Sequence, residues 1–211
     1  MRRTLLTALL AMFMVGCAAR LPIVTTPEKS ASAAMRGSIV RMAQMYYSQE
    51  ASVCTAFSVA PRKFLTAAHC VEDIIDPHVG KLDTTIKLGL MQGHVVKVDS
   101  FKDLAIVIAN LSLPPVTFSN VDLVWDEPVM AIGYAHSFTT PCVTRHHVMK
   151  NRYSIRDWIN PGVLYSGEFI KGMSGGPVYN INGMVVGIVQ LKDDEVGFGQ
   201  DATTILEFIK D

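Results

Sequence analysis

Three separated stretches hold residue types that could transfer an acyl group: "LTAAHC" at 65–70, "FKDLAIV" at 101–107 and "GMSGGP" at 172–177. A serine hydroxyl keeps its proton at neutral pH, so it becomes a nucleophile only beside a base, and the base needs a group to orient it. His69, Asp103 and Ser174 supply an imidazole, a carboxylate and a hydroxyl in that chain order. Gly172, Gly175 and Gly176 surround the serine, and glycine tolerates backbone angles that other residues avoid while letting other groups approach the main chain. Each residue also has an ordinary reading. His69 could be a hydrogen-bonded core histidine, Asp103 a strand-edge turn residue, and Ser174 the hydroxyl of a tight turn between strands.

The elements that must position these side chains read as short strands. After Gly37 come "SIVRMAQMYY", "VCTAFSVA", "KFLTAAHCV", "TIKLGL", "HVVKVDSF" and "LAIVIA", punctuated by Gly, Pro, Asp and Ser. Pro114 and Pro115 interrupt the series, and "LVW", "VMAIGYA", "CVTRHHVM", "GVLYSGEF", "GPVYNI" and "GMVVGIVQL" form a second one. Two sets of about six strands predict an all-β fold of two small antiparallel six-stranded β-barrels, at about 37–115 and 116–211. His69 ends an apolar strand and Asp103 starts another. Only the tail "ATTILEFIKD" has helical spacing, with Ile205, Phe208 and Ile209 on one side and Thr203 or Thr204 as the cap.

The chain has 211 residues, 49% of them hydrophobic, enough for a packed core. Nineteen basic residues balance nineteen acidic ones, so no field draws the chain to nucleic acid. Residues 1–16 join a basic tip, Arg2 and Arg3, to a short apolar run, the pattern of a secretory signal. The run falls short of the roughly 20 residues a membrane-spanning helix needs. "MVGC" at 14–17 resembles the lipobox of bacterial lipoproteins, which would make Cys17 a lipid anchor to the membrane, with plain secretion as the alternative and Met14 as a departure from the usual leucine. By the same resemblance, Ala18 after the cysteine, rather than an aspartate, would favour the outer membrane in a Gram-negative cell, so the expected place is the cell envelope, at the outer membrane or in the periplasm. Residues 17–36, rich in Ala, Ser, Thr and Pro, read as a flexible tether. Export implies an oxidising compartment. With Cys17 lipidated, Cys54, Cys70 and Cys142 leave one thiol unpaired. Adjacent His146 and His147 point to opposite faces of a strand, and with His136 they lack a ligand set, so neither a metal nor another cofactor is expected.

"TAAHC", "DLAIV" and "GMSGGP", in that order, resemble the three signature segments of the trypsin-like, chymotrypsin-fold serine proteases, across 37–211. The resemblance implies a serine endopeptidase acting on protein or peptide substrates through an acyl-enzyme. Ser174 would be the nucleophile, His69 the general base, Asp103 its orienting partner, and the backbone N–H groups of Gly172 and Ser174 the oxyanion hole. It also implies a Cys54–Cys70 disulfide beside His69, and leaves Cys142 as a free thiol. Glu168 would lie near the base of the primary specificity pocket, as a selector of basic side chains or simply as a surface residue. Gln190 and Lys192 would offer main-chain groups to the substrate backbone, and Lys192 replaces a glycine that keeps the pocket mouth open. Met173 stands where the animal enzymes carry an aspartate that receives a new N-terminus, so packing must shape the loop. "AIGYA" at 131–135 resembles the HtrA-type branch, although residues 178–211 are taken up by the last strands and helix, leaving no room for a PDZ domain. A catalytically inactive binding or scaffold module of the cell envelope is the alternative, motivated by Met173 and Lys192.

Overall fold

Short apolar runs bounded by turn residues become strands β1 (Ile39–Tyr46), β2 (Gln49–Ala60), β3 (Lys63–Thr66), β4 (Ile75–Asp76), β5 (Gly80–Lys81), β6 (Thr84–Leu88), β7 (Met91–Asp99) and β8 (Leu104–Ala109). The computed structural model describes residues 31–210 except 73–74, 77–79, 82–83, 137, 155–159 and 193–195. Six strands close a barrel in the order β1-β2-β3-β8-β7-β6, with β1 pairing back onto β6. Closure removes the open sheet edges. β4 and β5 form a separate two-stranded ribbon.

The second half supplies β9 (Pro128–Gly133), β10 (Cys142–Tyr153), β11 (Gly162–Ser166), β12 (Pro177–Asn180), β13 (Val185–Ile188), β14 (Leu191–Lys192) and β15 (Val196–Gly199). They form one antiparallel sheet, β13-β12-β9-β10-β11-β15-β14. The expected six strands are seven segments because one stretch breaks at Val189 and Gln190, between β13 and β14. At the break Val189 exchanges bonds with Gly175 and Gly176 of the serine loop, while the Gln190 N–H still donates to the Phe198 carbonyl on β15. "LVW" forms no strand, since only Leu123 is buried while Val124 and Trp125 are exposed at a turn. β15 takes its place in the sheet.

A core of Phe57, Leu65, Leu104 and Ile106 from the barrel, Ile132, Tyr179 and Ile188 from the second sheet, and Phe208 joins the two halves. Each such side chain contributes about 1.5–3 kcal/mol on burial. The expected C-terminal helix is α2 (Ala202–Lys210), preceded in the chain by α1 (Ala31–Gly37). Asp201 rather than a threonine caps α2, its Oδ1 accepting the Thr204 N–H at 2.8 Å. α1 occupies residues read from the sequence as tether: Met35 is buried in the shared core, and its carbonyl accepts the Tyr179 hydroxyl at 3.3 Å. Cys17 and residues 1–16 lie outside the described residues.

Candidate active site

Register brings the imidazole and the carboxylate together. β3 and β8 pair with Leu65 opposite Ile106 and Thr66 opposite Ala105, so the chain leaving β3 meets the chain entering β8. His69 sits just beyond the strand, in a 3₁₀ turn at Ala68–Cys70, and Asp103 immediately precedes Leu104. Its Nδ1 lies 2.9 Å from Oδ2 and 3.1 Å from Oδ1 of Asp103, and its backbone N–H donates to Oδ1 at 2.9 Å. The carboxylate selects the Nδ1–H tautomer, leaving Nε2 as the basic nitrogen. Asp103 is buried and adopts a left-handed φ of 51°, a conformation that Asp tolerates better than most residues. Desolvation pulls the His69 pKa down, but the hydrogen bond and charge of Asp103, aided by Glu72, outweigh it and raise the pKa above its ordinary value. Cys54 and Cys70 form a disulfide that fastens the 3₁₀ turn to β2, with Cα atoms 6.1 Å apart.

The serine loop packs against this same strand end. The Ser174 carbonyl accepts the Thr55 N–H at 2.8 Å. Gly175 has φ +80°, and a Cβ there would come within 3.0 Å of the Ala67 nitrogen. Gly172 has φ +98°, and a Cβ would approach the Tyr134 carbonyl to 2.6 Å and the His136 nitrogen to 2.7 Å. Only glycine fits. Met173 is fully buried in the second core, so apolar packing rather than an ion pair fixes the loop at that point. The Ser174 Oγ donates to the Gln190 carbonyl at 3.4 Å.

A hydroxyl on a glycine-framed loop and an imidazole bonded to a carboxylate are groups with which acyl transfer could be done. The trypsin-like peptidase domain matches residues 54–188. The chain belongs to the trypsin-like peptidase family. It is 29% identical over 157 residues to the serine protease Rv3671c of Mycobacterium tuberculosis (strain ATCC 25618 / H37Rv). That match covers 68% of this peptidase and 38% of the relative's length. Among solved structures, the active form of the Rv3671c protease from M. tuberculosis superposes with a TM-score of 0.68 at 22% identity, covering 91% of each chain. The HtrA-type protease AlgW with tripeptide gives 0.69 at 19% identity, covering 85% of this peptidase and 61% of that chain. Deg5 gives 0.68 at 17%, covering 87% and 94%.

The other residues singled out in the sequence fall in varied places. Gln190 is buried, and its Nε2 donates to the carbonyls of Lys102 and Asp103, both at 2.7 Å. One residue therefore touches the Asp103 main chain with its side chain and the Ser174 hydroxyl with its carbonyl. Its main-chain N–H is already bonded within the sheet. Lys192 lies on β14 opposite Gly197. Glu168 is exposed, whereas its neighbour Phe169 is buried with its ring on Gly197, where a Cβ would meet ring carbons at 2.5–2.9 Å.

His146 points inward from β10 and His147 outward. His146 Nδ1 donates to the Ser166 carbonyl at 2.6 Å and Nε2 accepts from the Thr144 hydroxyl at 2.7 Å, as a neutral ring does. Burial lowers its pKa, and the nearby His147 adds to that against the Ser166 bond. Cys142 is a half-buried free thiol. Among the described residues, the one cluster spaced as metal ligands is Cys54, His69 and Cys70, and its sulfurs are spent in the disulfide. Thr55 was passed over in the sequence, although its place directly after Cys54 put it on the strand that braces the serine loop.

Proposed function

We propose that this trypsin-like peptidase is an exported endopeptidase that cleaves peptide bonds through a Ser174 acyl-enzyme. The His69–Asp103 bond carries the reading, because an imidazole held in one tautomer and made more basic is what a serine needs as its partner. In the reaction the Ser174 hydroxyl leaves its bond to Gln190, long for an O–H···O contact, and gives its proton to Nε2 of His69 as Oγ attacks the carbonyl carbon. The oxyanion forms against the backbone N–H groups of Gly172 and Ser174. His69 then returns the proton to the leaving amine, and water, activated by the same imidazole, releases the acid and restores Ser174.

Export is supported by the signal-like pattern of residues 1–16 and by the Cys54–Cys70 disulfide, a bond that persists in oxidising compartments. Lipidation of Cys17 would hold the domain at the membrane of the cell envelope. Protein or peptide is the proposed substrate, bound alongside β14 near Gln190 and Lys192.

The test is a phosphonofluoridate on the purified chain, with the adduct located by mass spectrometry. Label on Ser174 is expected, and Ser174→Ala should lower kcat by about 10⁶-fold if the triad acts as a unit. Unchanged peptide cleavage in that variant would refute the mechanism. A folded wild type that neither reacts nor cleaves would leave the binding-module reading.

A further inference from the structure

We propose that Thr55 is a positioning residue for oxyanion stabilisation, its hydroxyl holding Gly172 so that the Gly172 N–H stays turned toward the developing negative charge. The proposal rests on the hydrolytic reading above. Thr55 is fully buried, and its Oγ1 has a partner in each direction: it accepts the Tyr134 N–H at 2.8 Å and donates to the Gly172 carbonyl at 3.1 Å. The hydroxyl is thus a bolt between the serine loop and segment 134–136.

The other flank of Gly172 is held as well. The Lys171 carbonyl accepts the His136 N–H at 2.9 Å. Across a planar trans peptide the Gly172 N–H lies opposite that carbonyl, so fixing one fixes the direction of the other. Both peptide units around Gly172 are therefore pinned to residues outside the loop, by a main-chain bond on one side and by Thr55 on the other.

A glycine at φ +98° needs such pinning. The residue that makes the close approach to Tyr134 and His136 possible is also the one that resists a peptide flip least. Without the Thr55 hydroxyl, the Gly172 carbonyl and the Tyr134 N–H would lose their partner, leaving the Gly172–Met173 peptide held only by its Met173 N–H, which donates to the Ile170 carbonyl at 3.0 Å. The Gly172 N–H belongs to the preceding peptide, so the effect on it is indirect: a shift of the Gly172 carbonyl changes the backbone angles at a glycine that opposes such change least, and with them the aim of its N–H.

The main chain of Thr55 does separate work. Its N–H holds the Ser174 carbonyl at 2.8 Å, and its carbonyl accepts the Thr66 hydroxyl at 2.8 Å. A side-chain substitution leaves both bonds, the disulfide and the His69–Asp103 pair in place. Nucleophile and base stay where they are while the loop loses its bolt.

The experiment compares the full chain as wild type, Thr55→Val, Thr55→Ser and Ser174→Ala. A fluorophosphonate measures nucleophile reactivity, and a peptide that the wild type cleaves gives kcat and KM. Thr55→Val should react with the fluorophosphonate about 10- to 100-fold more slowly, with a matching fall in kcat and KM within about twofold, since the loss falls on the transition state. The pH midpoint of its activity should equal that of the wild type, because His69 keeps its partner. Thr55→Ser, which keeps the hydroxyl, should recover most of the rate. Circular dichroism establishes that each variant is folded, and Thr55→Ala replaces the valine variant if that one is not.

Wild-type rates in Thr55→Val, or a serine variant as slow as the valine one, would overturn the role of Thr55 while leaving the hydrolytic reading intact. A folded wild type that the fluorophosphonate does not label at Ser174 would bring down the hydrolytic reading, and the role of Thr55 with it.

Discussion

His69 works against a gradient of its own making. Burial disfavours the imidazolium, yet the bond to Asp103 and the charges of Asp103 and Glu72 raise the pKa above the ordinary 6.5. A raised pKa means that the ion pair stabilises the fold fully below the unfolded-state value and that this contribution fades as pH rises through the folded value. The proposed reaction has the opposite sign, because only a neutral imidazole can accept the serine proton. The acid limb of kcat/KM should therefore have its midpoint above 6.5, in the range where the pair gives up its stabilisation. A pH–rate profile on a cleaved peptide checks this. A midpoint below the ordinary histidine value would mean that His69 is not the base, or that Asp103 does not face it in solution.

Among the elements, the C-terminal helix is the clearest case of a short segment held by its surroundings. α2 has nine residues, too few to persist alone in water. Asp201 caps its N-terminus. At the other end Lys97 donates to the Phe208 carbonyl at 2.6 Å and Lys63 to the Ile209 carbonyl at 3.4 Å, placing two cations where the helix dipole favours them. Phe208 is buried in the shared core, with the Lys97 ammonium 4.4 Å from its ring centroid. Phe208→Ala should cost about 3–5 kcal/mol, read from urea unfolding curves. A loss below about 1 kcal/mol, the level of an ordinary surface change, would show that the helix does not help hold the halves together.

The helix was legible because Ile205, Phe208 and Ile209 repeat at helical spacing. Its cap was not, since Asp201 and the two threonines are all competent and only the start of the helix chooses among them. β15 escaped because Gly197 and Gly199 dilute its strand character, and the reason for Gly197 is the Phe169 ring, brought to it from elsewhere in the chain. "LVW" misled in the opposite direction: three adjacent apolar residues say nothing of whether a sheet edge is there to receive them.

For the molecule as a whole, the decisive feature is a core shared by barrel, second sheet and helix. Contacts that cross between the halves also build the site, with Thr55 from β2 holding Ser174 and Gln190 holding the chain at Asp103. Shared packing couples the two halves, so urea should unfold the chain in one transition, with fluorescence, circular dichroism and activity lost together. A first transition that abolished activity while leaving half of the circular dichroism signal would show two independent units.

The sequence alone determined the peptidase family and the class of fold. The order of His69, Asp103 and Ser174, the glycines around the serine and the short apolar runs are signals written along the chain, each ambiguous singly and specific once read in order. Tertiary structure decided how those groups face one another: the β3–β8 register that joins His69 to Asp103, the Gln190 side chain that holds the Asp103 carbonyl, and the Thr55 hydroxyl that holds the Gly172 carbonyl. Those are contacts between residues 34 to 117 positions apart in the chain. Such contacts depend on where closed barrels place their strands, and the identity of a glutamine or a threonine carries no mark of what it will meet.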